Sequence, residues 1–343
     1  MNGGVRRLDR LGIGLVILAI GWTFLAGSEG DPGPVAAVFG GVAVAMMLGR
    51  AVGAVNRSLV PAAVVVAGGI VAFLFRDDLL SFAPLSGPFG YANAKGAFFM
   101  VVALAGLMLT LAARSPIVRG VGASVAAAAA VVPLRSHVTA SVILLAGLPL
   151  PAMVVAATGR GAARGVVAVS GALLLLAVVV TVVLGASYSP AGALGIRARV
   201  DQALTHDRVG LWNDAIEIMA DHPVTGVGAG RFRAFSPIAR EEPSNRLFWA
   251  HNEFLQQGAE LGVPGLMFVL LIFAWGFLRL FVSETPDAVT ALAAVTLLAV
   301  GVQASIDYVL HTAAIPLVTA FLVAIGMLPS RPLRRVGPGQ RDR

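Results

Sequence analysis

Residues 163–185 read ARGVVAVSGALLLLAVVVTVVLG, and their only charge, Arg164, stands at the very start. A helix rises about 1.5 Å per residue, so about 20 apolar residues cross the roughly 30 Å hydrocarbon core of a bilayer. This stretch is a membrane span by that measure. Comparable stretches lie at 11–27, 35–49, 59–75, 96–113, 117–133, 138–157, 263–280, 288–306 and 313–328, which makes about ten spans. Composition agrees: hydrophobic residues make up 57% of the 343 and charged residues 13%, with a mean hydropathy of +0.86. Soluble domains carry about 25% charged residues, so a cytosolic enzyme is excluded. The expected fold is all-α, a polytopic membrane helix bundle.

The net charge of +7 would suggest nucleic acid as a partner in a soluble chain. Here the arginines stand in short gaps between apolar runs, where they set topology. With the amino terminus cytoplasmic, the inner segments carry Arg50 and Arg57, Arg114 and Arg119, Arg160 and Arg164, Arg279, and a tail with Arg331, Arg334, Arg335, Arg341 and Arg343. Outer loops instead hold Glu29 and Asp31, then Arg76, Asp77, Asp78 and Lys95, then Arg135. This is the positive-inside pattern, with both termini in the cytoplasm of a bacterial inner membrane. Arg6, Arg7 and Arg10 resemble the positive region of a signal peptide, but no A-x-A site follows, so the first span reads as an uncleaved anchor. The chain has no cysteine, which excludes disulfides and thiol chemistry.

Four parts follow: a seven-helix membrane bundle at 1–185, an extracytoplasmic loop at 186–260, three spans within 261–330, and a basic cytoplasmic tail at 331–343. The loop is far longer than an ordinary connection and is where function is expected. Within it, DRVGLWNDAIEIM (207–219) spaces Val209, Trp212, Ile216 and Met219 on one helical stripe, with Asp207 as cap. Arg208 falls in the first turn, where the helix dipole disfavours a cation. Two readings are open there: an anionic ligand, or a solvated pair with Asp207 or Asp201. HPVTGVGAGRF (222–232) alternates Gly226, Gly228 and Gly230, either to aim backbone N–H groups at an anion or simply to turn tightly. It is no nucleotide loop, since no Lys-Ser/Thr follows. AHNEFLQQGAELGVPG (250–265) opens a short helix at His251 and stops it at Gly262. An imidazole near a helix start favours its neutral, proton-accepting form, although an interfacial histidine that only bonds the loop would look the same.

Taken together, Arg208 with Trp212, then HPVTGVGAGRF, then HNEFLQQGAELGVPG resemble the O-antigen ligase and polymerase superfamily, the Wzy-C or WaaL-like proteins. GPFGYANAKGAFF (87–99) resembles the family's outer-loop motif, and PLRSHVTASVILL (133–145) its arginine segment, with Leu134 where the family has serine. The resemblance covers residues from about 87 to 316. It implies a GT-C-like fold and an inverting, metal-independent glycosyltransferase needing no cofactor. The implied donor is a lipid-linked oligo- or polysaccharide on undecaprenyl pyrophosphate, and the implied acceptor is a glycan or lipid. His251 matches the family's base, and Arg208 and Arg135 its guanidinium clamps. Asn93, Lys95, Arg231 and Glu260 would shape or charge the pocket.

A ligase and a Wzy-type polymerase need the same chemistry, so both readings stand. A lipid-carrier flippase would show repeated halves and charges inside its spans, and neither is evident. A metal-dependent oligosaccharyltransferase could use Asp77 and Asp78 as ligands. Asp307 and His311, four residues apart at the end of the ninth span, are expected to pair with each other in helix packing, the alternative being a catalytic role.

Overall fold

The computed structural model describes residues 3–26, 30–79, 91–136, 138–188, 208–241 and 248–329. Among the described residues there are helices and no strands. They are α1 (Gly3–Leu25), α2 (Pro32–Val55), α3 (Leu59–Leu74), α4 (Arg76–Leu79), α5 (Ala92–Ala112), α6 (Pro116–Arg135), α7 (Thr139–Gly147), α8 (Pro149–Ala157) and α9 (Arg160–Ala186). After the long loop begins come α10 (Arg208–Asp221), α11 (Phe232–Phe235), α12 (Pro237–Glu241), α13 (Glu253–Phe281), α14 (Ala288–Ile306), a 3-10 turn at Val309–His311 and α15 (Ala314–Val323), continued by a 3-10 turn at Ala324–Met327. The basic tail, Glu29, Asp201, Asp207 and the glycines of GPFG lie outside the described residues.

Seven helices are long and apolar enough to cross a membrane: α1, α2, α5, α6, α9, α13 and α14. Three shorter apolar segments, Leu59–Leu74, Thr139–Val155 and Ala314–Met327, stand at the other expected positions. The span expected over 138–157 is divided at Leu148 and Pro149 into α7 and α8. A proline has no N–H to continue the ladder of the preceding turn, so the chain restarts there.

Burial sorts the helices into two classes. In α5 and α14, 83% of the apolar window is buried, against 17% in α1 and α2. The first pair is therefore the bundle's centre, and the others turn leucine and valine outward, as lipid-facing helices do. Small residues let backbones approach where no hydrophobic driving force exists. Gly106 of α5 and Gly122 of α6 face one another so closely that a Cβ on either would stand under 3 Å from the other's carbonyl oxygen.

The two ends of the bundle differ in charge. At one end Asp9 accepts from both Arg50 (2.9 Å) and Arg279 (2.7 Å), and Arg57 grips Asp287 at 2.6 Å. Arg164 bonds the carbonyls of Phe281 and Ser283 at this same end. The other end carries the start of α5, the start of α13, the end of α14 and the loop helix α10. That loop helix packs on α9 and α13. Its buried residues are Gly210, Leu211, Trp212, Asp214, Ala215 and Ile218. Of the expected stripe only Trp212 is buried, while Val209, Ile216 and Met219 are half-buried. The face is rotated because Asp214 turns inward to accept from Ser236 Oγ and the Ile238 N–H, which ties α10 to α12.

Candidate active site

The end of α14 assembles the site. The helix stops at Ile306, and Asp307 leaves it extended, at φ −157° and ψ 170°. Its carboxylate then meets residues far away in sequence. Tyr91, the residue capping α5, donates its hydroxyl at 2.8 Å to Oδ2, and Asn93 Nδ2 bonds the same oxygen. Arg208, at the start of α10, reaches Oδ2 through Nη2 at 3.3 Å while Nη1 donates to the Ile306 carbonyl at 2.7 Å. The Tyr308 N–H closes the set on Oδ1 at 2.8 Å. Burial alone would raise this carboxyl, but attraction to His251 and Arg208 prevails and holds it below the ordinary carboxylate range. The neighbouring phenol of Tyr91 is pushed up, first by burial and then by the Asp307 charge.

His251 faces the same carboxylate. Its Nδ1 lies 3.3 Å from Asp307 Oδ1, near enough for attraction but poorly aligned as a hydrogen bond. Contacts of this kind tighten when substrate arrives. Nε2 is buried and has no partner among the described residues. The backbone explains how the ring is aimed. His251 has φ +51°, the one non-glycine left-handed residue among those described. Asn252, not His251, caps α13 by accepting from the Leu255 N–H, and it is anchored in turn on Thr181. The His251 carbonyl is held by Trp212 Nε1 at 3.2 Å, so the Arg208 and Trp212 turn of α10 carries both the guanidinium and the support of the imidazole. The ring packs edge-on against Tyr308, with centroids 4.8 Å apart.

The expected pairing of Asp307 with His311 does not form. It presumed a continuous helix, and α14 ends before Asp307. His311 instead bonds Glu253 Oε2 at 2.8 Å, and burial's pull on its imidazole is overcome by that carboxylate, so its pKa is raised. Arg208 likewise pairs with Asp307, a partner that nearest-neighbour reading does not suggest.

The glycine run is tied to α13 where that helix breaks, at Gly262, whose φ 74° and ψ −174° are not helical. The N–H groups of Val227 and Gly228 donate to the carbonyls of Ala259 and Glu260, and Val263 N–H donates to the Pro223 carbonyl. Glu260, 1% exposed, accepts from Gln256 at 2.6 Å and from the Phe232 N–H, so it fastens the turn to the helix. The run thus spends its amides inside the protein, on two backbone carbonyls and on the Glu260 side chain. Gly226 (φ +64°) and Gly262 (φ +74°) make the approach possible, because a Cβ on either would stand 2.3 Å from backbone of the other segment. Gly262→Ala is expected to cost at least about 2 kcal/mol, combining left-handed strain with the clash. Thermal unfolding in detergent checks it; unchanged stability would contradict the tight docking.

The remaining expected residues are dispersed. Lys95, fully buried in the first turn of α5, donates to the Asp78 carbonyl at 3.2 Å. Arg231 bonds the Val227 carbonyl and lies over the Phe235 ring. Arg135 ends α6 at the site's end of the bundle, exposed, with no recorded bond to the Asp307 cluster. Among the described residues no group of three or more His, Asp or Glu is arranged to hold a metal. Tyr91, Asp307 and Tyr308 are the residues that the motifs did not single out for the site. The available signal was a carboxylate at the end of an otherwise uncharged span.

A buried carboxylate thus holds a guanidinium and an imidazole whose outer nitrogen is open, beside two stacked tyrosines with centroids 4.5 Å apart. Such a set can accept a proton and stabilise a departing anion in one place. A family model described as O-antigen ligase matches residues 89–270, just over half of the chain. The match includes Tyr91, Asn93, Arg208 and His251 and ends before Asp307. A search of curated proteins finds no match.

Proposed function

Since the chain belongs to the O-antigen ligase family, we propose that it transfers a glycan from an undecaprenyl pyrophosphate carrier to an acceptor hydroxyl, inverting the anomeric centre without a metal. The acceptor oxygen bonds the anomeric carbon as the bond from that carbon to the pyrophosphate oxygen breaks. The electron pair leaves with polyprenyl pyrophosphate, and the acceptor's proton passes to His251 Nε2. Asp307 sets the tautomer by taking Nδ1–H and then stabilises the imidazolium that forms. Arg208, fixed on Asp307 and the Ile306 carbonyl, sets a permanent positive charge beside the developing phosphate charge, and Arg135, exposed at the same end of the bundle, is the second cation toward that anion. Asn93 orients Asp307, while Lys95, Arg231 and Glu260 shape the surroundings.

The observation that carries this reading is that one carboxylate, Asp307, brings Arg208 and His251 together while leaving Nε2 open. Topology supports it. The arginines at 50, 57, 164 and 279 share the end opposite Asp307, so the positive-inside rule puts His251 outside and both termini in the cytoplasm of a bacterial inner membrane. In this arrangement the three shorter apolar helices complete about ten crossings of a GT-C-like bundle. Residues 1–185 and 261–330 form its membrane part, 186–260 its outer loop and 331–343 its cytoplasmic tail. A Wzy-type polymerase, which needs the same base and the same anion stabilisation, is the alternative reading.

The test is transfer by purified protein from a polyprenyl-linked repeat unit, with and without chelator, resolved on a gel. Single additions in either condition are expected; a ladder would mean polymerisation, and loss in chelator would overturn metal independence. Arg208→Lys is expected to fall about 10²–10³-fold, since an ammonium cannot reproduce a fork held on both Asp307 and the Ile306 carbonyl. Undiminished turnover would contradict the clamp.

A further inference from the structure

Beside the Asp307 cluster a narrow slot of about 230 Å³ opens between α1, α2, α13 and α15. Along α2 its wall runs from Pro34 to Met47, which at 1.5 Å per residue is about 20 Å of helix. That length and volume suit one extended hydrocarbon chain. The slot is apolar except for Glu253, Gln257 and His311 at the end nearest the active site, and Thr319 in its wall.

Two of those polar groups are unsatisfied. Gln257 spends Nε2 on Glu253 Oε1 at 2.9 Å, leaving Oε1 buried with no partner among the described residues. Thr319 Oγ1 is likewise buried and unpartnered. Each side chain is 4% exposed. Orphaned polar atoms at membrane depth are costly, so a ligand that satisfies them has an advantage. The slot's mouth offers acceptors, a carbonyl and a carboxylate, while His311 gives its Nδ1 to Glu253. A pyrophosphate has no donors to give and would meet that carboxylate; sugar hydroxyls have donors to give. The mouth also adjoins the base: the rings of His311 and His251 both pack on Tyr308, at 6.1 and 4.8 Å, and Trp249 covers His311 at 4.2 Å.

We propose that this slot seats the hydrocarbon tail of a lipid-anchored acceptor whose head is an uncharged sugar, its hydroxyls donating to Gln257 Oε1 and Glu253. It is a second lipid site, distinct from that of the pyrophosphate donor, and calling its occupant the acceptor rests on the glycan-transfer reading above.

The experiment uses purified protein in nanodiscs and two photoreactive probes with the same diazirine-bearing long alkyl chain, one ending in glucose and the other in phosphate. Labelled peptides are mapped by mass spectrometry. The glucoside is expected to label α2 and α15 about tenfold more than the phosphate, the scale of one or two lost buried hydrogen bonds. Val38→Phe, or Ala320→Phe should the first variant fold poorly, fills the slot and is expected to remove that labelling. Gln257→Leu keeps the slot but deletes the carbonyl, and is expected to erase the preference for the sugar head. Equal labelling by both probes, labelling undiminished in a folded filled variant, or a preference that survives Gln257→Leu each overturns the proposal. Transfer is measured on the same preparations. Transfer without slot labelling sinks the slot alone; selective slot labelling without transfer supports a neutral-glycolipid site and sinks the transfer reading instead.

Discussion

His251→Ala is expected to lower glycan transfer by about 10²–10⁴-fold, the range that positioned general bases contribute, while the protein still inserts and accumulates. His251 Nε2 is buried and open beside Asp307, so its loss leaves the acceptor hydroxyl to attack while still protonated. One complication has a structural remedy. His251 stands at φ +51°, where alanine is strained but asparagine is among the better-tolerated residues. His251→Asn should therefore lose transfer as completely as the alanine variant while unfolding closer to the wild-type temperature. Transfer is read from a polyprenyl-linked donor and stability from thermal unfolding. Normal transfer in either variant would remove His251 from the mechanism, and a loss that tracked stability would make the residue structural.

The membrane helices were legible because each is a run of apolar residues with its charges expelled to the ends, a property of composition alone. The helix at 288–306 was read to the residue, since Asp287 caps its start and Asp307 ends it. What could not be read was contact across the chain. Asp307 and His311 looked like neighbours only if the helix continued. Once it stops at Ile306, one turns to Arg208 and His251, and the other to Glu253. Of the two readings of the glycine run the tight turn is the one that forms, and the carbonyls of Ala259 and Glu260 that take its amides sit some 30 residues further along the chain. Tyr91 passed as part of a turn motif because nothing local announces that its hydroxyl reaches a carboxylate 216 residues away.

Asp307→Asn is the second large effect expected, and it separates two roles of one side chain. The amide keeps the shape but not the charge, and its NH₂ would face donors that now converge from Tyr91, Asn93, Arg208 and the Tyr308 N–H. Breaking a buried ion pair from one side costs about 3–5 kcal/mol, because the other charge is left unpaired. Arg208 would be that charge, so unfolding should move to distinctly lower temperature. Transfer should fall further than stability explains, by about 10³–10⁴-fold in the fraction that remains folded, since an amide cannot fix the His251 tautomer or stabilise the imidazolium. A folded Asp307→Asn enzyme with full activity would place the carboxylate in the scaffold alone and return Arg208 and His251 to independent action.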